Sequence, residues 1–186
     1  MPLWGANTSD ESKPKNLTAE QKSRTFATTR GWEIRRADGT DEVIVAIRNL
    51  AGGVTTATSV KLEAATISQV FFTANSYTTG AAGIVRVVWN ERVTPTTTGT
   101  LVVDAFNTSG YTITATRYGA PGPNYVDFQF TAPPTTGVTL SLTSQTISMG
   151  INDFGSTQIT SDLVIALADI DAAAVDGGST SVVTTV

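Results

Sequence analysis

The groups in this chain that could do chemistry are carboxylates, hydroxyls and four lysines. Asp169 and Asp171 lie two apart, on the same face of any strand there. With Asp153 and Asp176 they are an oxygen-rich set suited to a hard cation such as calcium. Their spacing lacks the fixed pattern of a calcium loop, so no metal site is expected. A glycosidase needs two carboxylates across its scissile bond, and nothing else in the sequence supports such a pair. Hydroxyls are abundant, with 33 threonines, but the chain has no His and no Cys. That removes the commonest general base, the thiol nucleophile, the commonest metal ligand and every disulfide. None of the lysines sits in a motif that would activate a serine. Gly52-Gly53 and Gly177-Gly178 lack the flanking Gly, Lys and Ser/Thr of a phosphate loop. No catalytic residue and no cofactor is therefore expected, and the chain reads as a non-enzyme.

Recognition is what remains. Leu3, Trp4, Phe26, Arg30, Trp32, Arg35 and Arg36 are the expected partner-binding residues. They combine large apolar side chains with guanidinium groups in the N-terminal part of the chain. Trp is a frequent hot spot, because it buries a large area at small entropic cost. Trp89, Tyr77, Tyr118 and Tyr125 could stack on a sugar, although Trp89 ends an apolar strand and belongs more naturally in a core. Charge divides unevenly. Residues 1–36 hold seven basic and four acidic side chains, and residues 37–186 hold five basic and twelve acidic. A basic head and an acidic remainder suit head-to-tail docking of copies; scattered solvated charges would look the same. No dense basic patch recommends nucleic acid as a partner. No apolar run approaches the ~18 residues that cross a membrane. The start of the chain lacks the apolar segment of a secretory signal, so folding in a reducing cytoplasm is expected.

The elements that would position these groups are mostly strands. Charged residues are only 15% of the chain and hydrophobic residues 40%, so threonine occupies surface positions that charge usually fills. Thr is β-branched and suits the solvent face of a strand. Residues 1–16 should form an extended arm, anchored by Leu3 and Trp4. Thr18 and Gln21 have capping-box spacing, which predicts a helix from Thr18 to Phe26. Trp32–Arg36 and Glu42–Ile47, joined by the Asp38-Gly39 turn signal, predict a hairpin. Seven strands are then expected over residues 67–74, 84–90, 101–106, 111–117, 126–131, 138–142 and 163–168. Val126, Phe128 and Phe130 should share one face, and Tyr111, Ile113 and Ala115 another. Three parts follow: 1–62, the arm, helix and hairpin used for docking; 63–171, a β-sandwich; and 172–186, a tail or edge strand.

Two resemblances add to this reading. Ser76–Gly80, Val85–Thr94 and Thr98–Val103 are similar to bacterial and phage immunoglobulin-like domains, in a likeness that spans roughly residues 66–170. Arg92 and the Pro95–Thr98 insertion depart from that pattern. Met1–Gly5, Lys13-Pro14-Lys15, Ala27–Trp32 and Asp38–Ile47 resemble the N-termini of small structural proteins of marine T4-like phages, cyanophages included, over residues 1–50.

The resemblances imply a mainly β protein: an immunoglobulin-like antiparallel β-sandwich preceded by an extended N-terminal arm, a short helix and a β-hairpin. They imply a virion component, and a capsid decoration or cement protein is the leading expectation. Its partners would be the major capsid protein or other virion subunits, with homo-oligomer contacts. A tail or baseplate component and a module that binds host-surface glycan are the alternatives.

Overall fold

The computed structural model describes residue 14, residues 16–47, residue 50, and residues 65–106, 111–153, 163–170 and 182–186. The fold is mainly β, with several sheets and one short helix among the described residues. Leu3, Trp4 and most of the predicted arm lie outside the described residues, as does the whole 51–64 stretch between the predicted hairpin and the first predicted sandwich strand.

The helix α1 spans Ala19–Ser23. Its capping box forms as expected: Thr18 Oγ1 accepts from Gln21 N–H at 3.2 Å, and Gln21 Oε1 accepts from Thr18 N–H at 2.9 Å. It stops three residues before the predicted end. Thr25 begins a β-branched stretch that forms a strand, β1 (Thr25–Thr28), and Phe26 lies in that strand. β1 pairs with β2 (Gly31–Arg35), which pairs with β3 (Asp41–Ala46). The predicted hairpin is therefore the β2–β3 part of a three-stranded sheet. At its tip Gly39 has φ +84, and Thr40 donates from N–H and hydroxyl to Asp38 Oδ1 at 2.9 and 2.6 Å. Those bonds hold the Asp38 carboxyl below its ordinary pKa.

All four β1 residues are buried. One edge of the strand faces β2. The other meets the larger sheet, where Ala27 N–H donates to the Asn90 carbonyl at 2.9 Å and Ala27 bridges Glu91. Trp32, Ala27 and Leu50 form a small core of their own, flanked by Leu17, Ile44, Val45 and Ile47.

The larger sheet contains β4 (Ile67–Phe72), β5 (Ser76–Tyr77), β6 (Ala82–Trp89), β8 (Thr100–Phe106), β9 (Tyr111–Tyr118), β10 (Tyr125–Thr131), β11 (Thr139–Ser141) and β15 (Val182–Thr185). Its order is β4-β6-β10-β9-β8-β11-β15-β5, with every pair antiparallel except β15–β5. Two small ladders complete the structure: β7 (Val93–Pro95) with β13 (Ile151–Asp153), and β12 (Gln145–Thr146) with β14 (Val164–Ile165). The last predicted strand shortens to β14, and the tail supplies β15, which is paired on both sides.

Although β5 stands at the far end of the order from β4 and β6, the two ends meet. Tyr77 of β5 donates its hydroxyl to the Ile84 carbonyl at 2.9 Å. Its ring sits edge-on to Phe130 (5.3 Å between centroids) and Phe72 (6.1 Å). The sheet therefore curls round one apolar core, filled by Val70, Phe72, Val85, Val87, Trp89, Val126, Phe128, Phe130 and their neighbours. Alternation explains the division: side chains two apart share a face, so Val126, Phe128 and Phe130 point in, as expected. On β9 only Ala115 is fully buried, while Tyr111 is 60% exposed; the common face predicted for them ends where the strand runs past the core. β9 pairs with β8 from Tyr111 to Thr116 but with β10 only over Thr116–Tyr118. The ladder splits there.

Burial holds the Tyr77 phenol above its ordinary pKa of 10.0. A raised folded pKa means stability that is complete below 10.0 and lost as pH climbs through the folded value. Tyr77→Phe should cost about 1 kcal/mol near neutrality through its lost hydrogen bond, and it should flatten the alkaline fall. Urea titrations from neutral to alkaline pH read both; an unchanged alkaline slope in the variant would refute the assignment.

Candidate functional site

The N-terminal sheet lies over the outer face of β4–β6–β10 and encloses a cleft of about 390 Å³ with it. Alternation supplies the wall on the larger sheet. Val85, Val87 and Trp89 face the core, so Arg86 and Val88 face outward; Phe71 on β4, Thr73 just after it and Tyr125 on β10 do the same. The opposite wall is the C-terminal end of α1 and the β2–β3 turn, with Ser23, Arg24, Arg35, Arg36 and Gly39. Pro123 and Asn124 close one end. Asn124 is buried and pinned: its Nδ2 donates to the Trp89 carbonyl at 3.0 Å, and its own carbonyl accepts from Trp89 N–H at 2.7 Å.

Four guanidinium groups line this cleft, half of the eight arginines in the chain. Each is held by a carboxylate. Arg86 donates from Nε and Nη2 to Asp127 at 2.8 and 2.9 Å, across the β6–β10 register that sets these two residues opposite each other. Its plane lies 3.8 Å from the Tyr125 ring centroid, a cation–π geometry. Arg35 donates from Nε and Nη2 to Asp41 at 2.6 and 3.1 Å, and this pairing raises its pKa further. Arg36 pairs with Glu42, and Arg24 with Glu20. Arg24 Nε is buried and has no hydrogen-bond partner among the described residues.

The partner-binding residues expected from sequence divide sharply. Arg35 and Arg36 come together at the cleft. Phe26 and Trp32 do not reach any surface: both are 0% exposed. This corrects their assignment as docking side chains. Trp32 fills the small core of the N-terminal sheet, and Phe26 lies beneath the Arg92 guanidinium, 5.7 Å from ring centroid to Cζ. Arg30 is exposed, but its guanidinium clamps Glu33, donating at 2.9 and 2.8 Å to a carboxylate only 2% exposed that also accepts from the Thr28 hydroxyl. A buried carboxylate left without its cation is costly, so Arg30 serves the fold. Leu3 and Trp4 lie outside the described residues. Among the aromatic residues considered for sugar stacking, Trp89 and Tyr77 are buried, Tyr118 is exposed, and Tyr125 carries Arg86 on its ring.

Sequence reasoning missed Arg24 and Arg86, and named Tyr125 only as a ring that could stack on a sugar. A signal for Arg86 existed. An arginine interrupts the apolar run Ile84–Trp89, and Asp127 takes an outward position in the alternation of Tyr125–Phe130. Two outward opposite charges in neighbouring strands suggest a cross-strand pair. Arg24 carried no such signal, because its place depends on where α1 stops.

Among the described residues no group of three or more His, Cys, Asp or Glu could hold a metal ion, and no helix is long and apolar enough to cross a membrane. Asp169 Oδ2 accepts from Ala166 N–H at 2.8 Å, while Asp171, Asp176 and the Asp153 side chain lie outside the described residues. No family model matches this sequence, and no curated protein or solved structure matches it.

Proposed function

We propose that this protein is a structural component of a phage virion, a capsid decoration or cement protein built on an immunoglobulin-like sandwich. The observation that carries the virion reading is the sequence of residues 1–50, whose Met1–Gly5, Ala27–Trp32 and Asp38–Ile47 segments resemble the N-termini of small structural proteins of T4-like phages. Two of those segments fall in the N-terminal sheet, from Ala27 in β1 to Ile47 just beyond β3.

Strand order supports the sandwich. Taken as two layers, β4-β6-β10-β9 and β8-β11-β15-β5 share β9 as the strand that passes between them. A short early strand, β5, runs parallel to the last one, β15. This is the arrangement expected of immunoglobulin-like Greek keys. Such a fold carries many functions, so it supplies a rigid carrier and the partner must be recognised elsewhere on the chain. In this reading the arm, residues 1–16, binds the capsid lattice. Weak contacts then add by avidity over repeated lattice sites.

Deleting residues 1–16 should abolish retention on purified capsids while the far-ultraviolet spectrum and melting of the remaining chain stay those of the intact protein. Particle mass analysis gives the occupancy. Full occupancy by the truncated protein would overturn the reading, as would a copy number that follows the small symmetric multiples of a tail instead of the capsid lattice.

A further inference from the structure

The cleft between the N-terminal sheet and the larger sheet has properties that the decoration role does not require. We propose that it is a binding site for an oxyanion (phosphate, sulfate or carboxylate) carried on a body the size of a sugar. The proposal stands or falls independently of the virion reading.

Charge is the first argument. The chain is acidic, with a net charge of −4, yet Arg24, Arg35, Arg36 and Arg86 line this one cleft, and among the described residues no Asp or Glu does. The carboxylates that pair with these arginines hold them from outside the lining. Asp41 and Asp127 each take the Nε–Nη2 edge of one guanidinium, and Tyr125 fixes the plane of Arg86. Guanidinium groups ordered in advance lose little entropy on binding, which is the usual cost of recruiting such long side chains. Planar forks of this kind match tetrahedral and planar oxyanions.

An unmet donor is the second argument. Arg24 Nε is buried, and no described residue accepts its hydrogen bond. A buried donor without a partner costs about 1–3 kcal/mol; Arg24 lines the cleft, and a small rotation of its side chain toward a bound oxyanion would remove that cost.

Size and lining give the rest of the ligand. A volume of about 390 Å³ exceeds what a bare ion fills and falls in the range of small-molecule sites. Pro123 and the edge of Phe71 that stays uncovered offer apolar surface, with Val88 buried beneath, beside the hydroxyl groups of Ser23 and Thr73. An apolar floor with a few hydroxyl groups suits a sugar ring, and the arginines suit its acidic substituent. The four carboxylates just outside the lining temper the field, so binding should be weak and should fall as salt rises.

The test is a titration of the full-length protein by two-dimensional NMR. The probes are inorganic phosphate, inorganic sulfate, a sulfated disaccharide and its neutral parent. Both the sulfated sugar and the bare ions should shift the amides of Arg36 and Tyr125, the sugar more tightly, and the neutral parent should not. Arg24→Gln and Arg86→Gln should each weaken binding at least about tenfold, the scale of one lost charge-assisted hydrogen bond. Arg117→Gln, outside this cleft, should leave it unchanged. Arg24 pairs on the surface with Glu20, so its variant should fold even if the Arg86 variant does not, and thermal melts check both. Equal affinity for the bare ions and the sulfated sugar would overturn the sugar-sized body and leave a site for the free ion alone. No shift with any anion, equal binding of the neutral sugar, or equal loss in Arg117→Gln would each overturn the proposal.

Discussion

Gly31→Ala should unfold the N-terminal sheet and leave the larger one standing. Gly31 opens β2 with φ +126, a conformation that side chains rarely adopt. A Cβ there would overlap the Val45 carbonyl oxygen and lie 2.5 Å from the Ile47 nitrogen. Both atoms are backbone of the neighbouring strand β3 and the residue after it, so no rotamer change can relieve the clash. Gly31 also pairs with Thr28 on one side and Ala46 on the other, which means that any shift is felt in all three strands. We expect a loss of about 4 kcal/mol, at the severe end for a point substitution, confined to residues whose core is Trp32, Ala27 and Leu50. Hydrogen exchange would show β1–β3 amides losing protection while those of β6 and β10 keep theirs. Loss of protection throughout would mean that the two sheets fold as one cooperative unit. Because one wall of the arginine cleft belongs to the N-terminal sheet, the same variant should lose anion binding.

Trp89→Ala should have the complementary effect. Trp89 is 0% exposed and sits among the side chains of the main core. Truncating a buried aromatic residue to Ala costs about 3–5 kcal/mol, from lost transfer energy and the cavity left behind. The strand end that carries it makes reciprocal bonds with Asn124, whose neighbours Pro123 and Tyr125 border the cleft. We expect the denaturation midpoint of the larger sheet to fall by that amount. Protection of β1–β3 should fall with it, since β1 is tied to Asn90 and Glu91, the two residues that follow Trp89. A loss below about 1 kcal/mol would place Trp89 outside the load of the core. Gly31→Ala and Trp89→Ala together test a directional dependence: the small sheet needs the large one as a platform, and the large one does not need the small one.

That dependence follows from how each sheet is buried. The larger sheet curls on itself and fills its interior with its own side chains. Among the described residues the N-terminal sheet has a core of three buried residues, and three strands with so little apolar burial are marginal alone. Phe26, Phe71 and Val88 are buried yet belong to neither cluster. Their position on β1 and on the outward face of β4 and β6 places them at the seam, where burial comes from docking.

Much of this was legible in the chain itself. Six of the seven strands expected beyond residue 65 appear within a few residues of their predicted bounds, and the seventh shortens to two residues, Val164–Ile165. Alternation, turn residues and threonine content are local signals, and a strand answers to them wherever it is placed. The capping box of α1 and the Asp38-Gly39 turn formed for the same reason. Where local signals conflicted, sequence reasoning failed. Helix-forming residues ran toward Phe26, but Thr25–Thr28 gained more by completing a ladder with β2 and meeting Asn90. No window of sequence contains that gain.

The sequence by itself determined that the protein would be β-rich, that no imidazole or thiol chemistry could occur, and which faces of its strands are apolar. Tertiary structure alone decided which large side chains remain available to a partner. Phe26 and Trp32 looked like docking anchors because they are aromatic, but a ring becomes an anchor only if its own fold leaves it uncovered; Trp32 is packed among Ala27, Leu50 and their neighbours, and Phe26 lies beneath Arg92. It also decided that arginines from the ends of α1 and β2 and from β6, spread from position 24 to position 86 of the chain, would face one cleft. Register and docking fix such meetings, and both are sums over many weak contacts that no short stretch of sequence records.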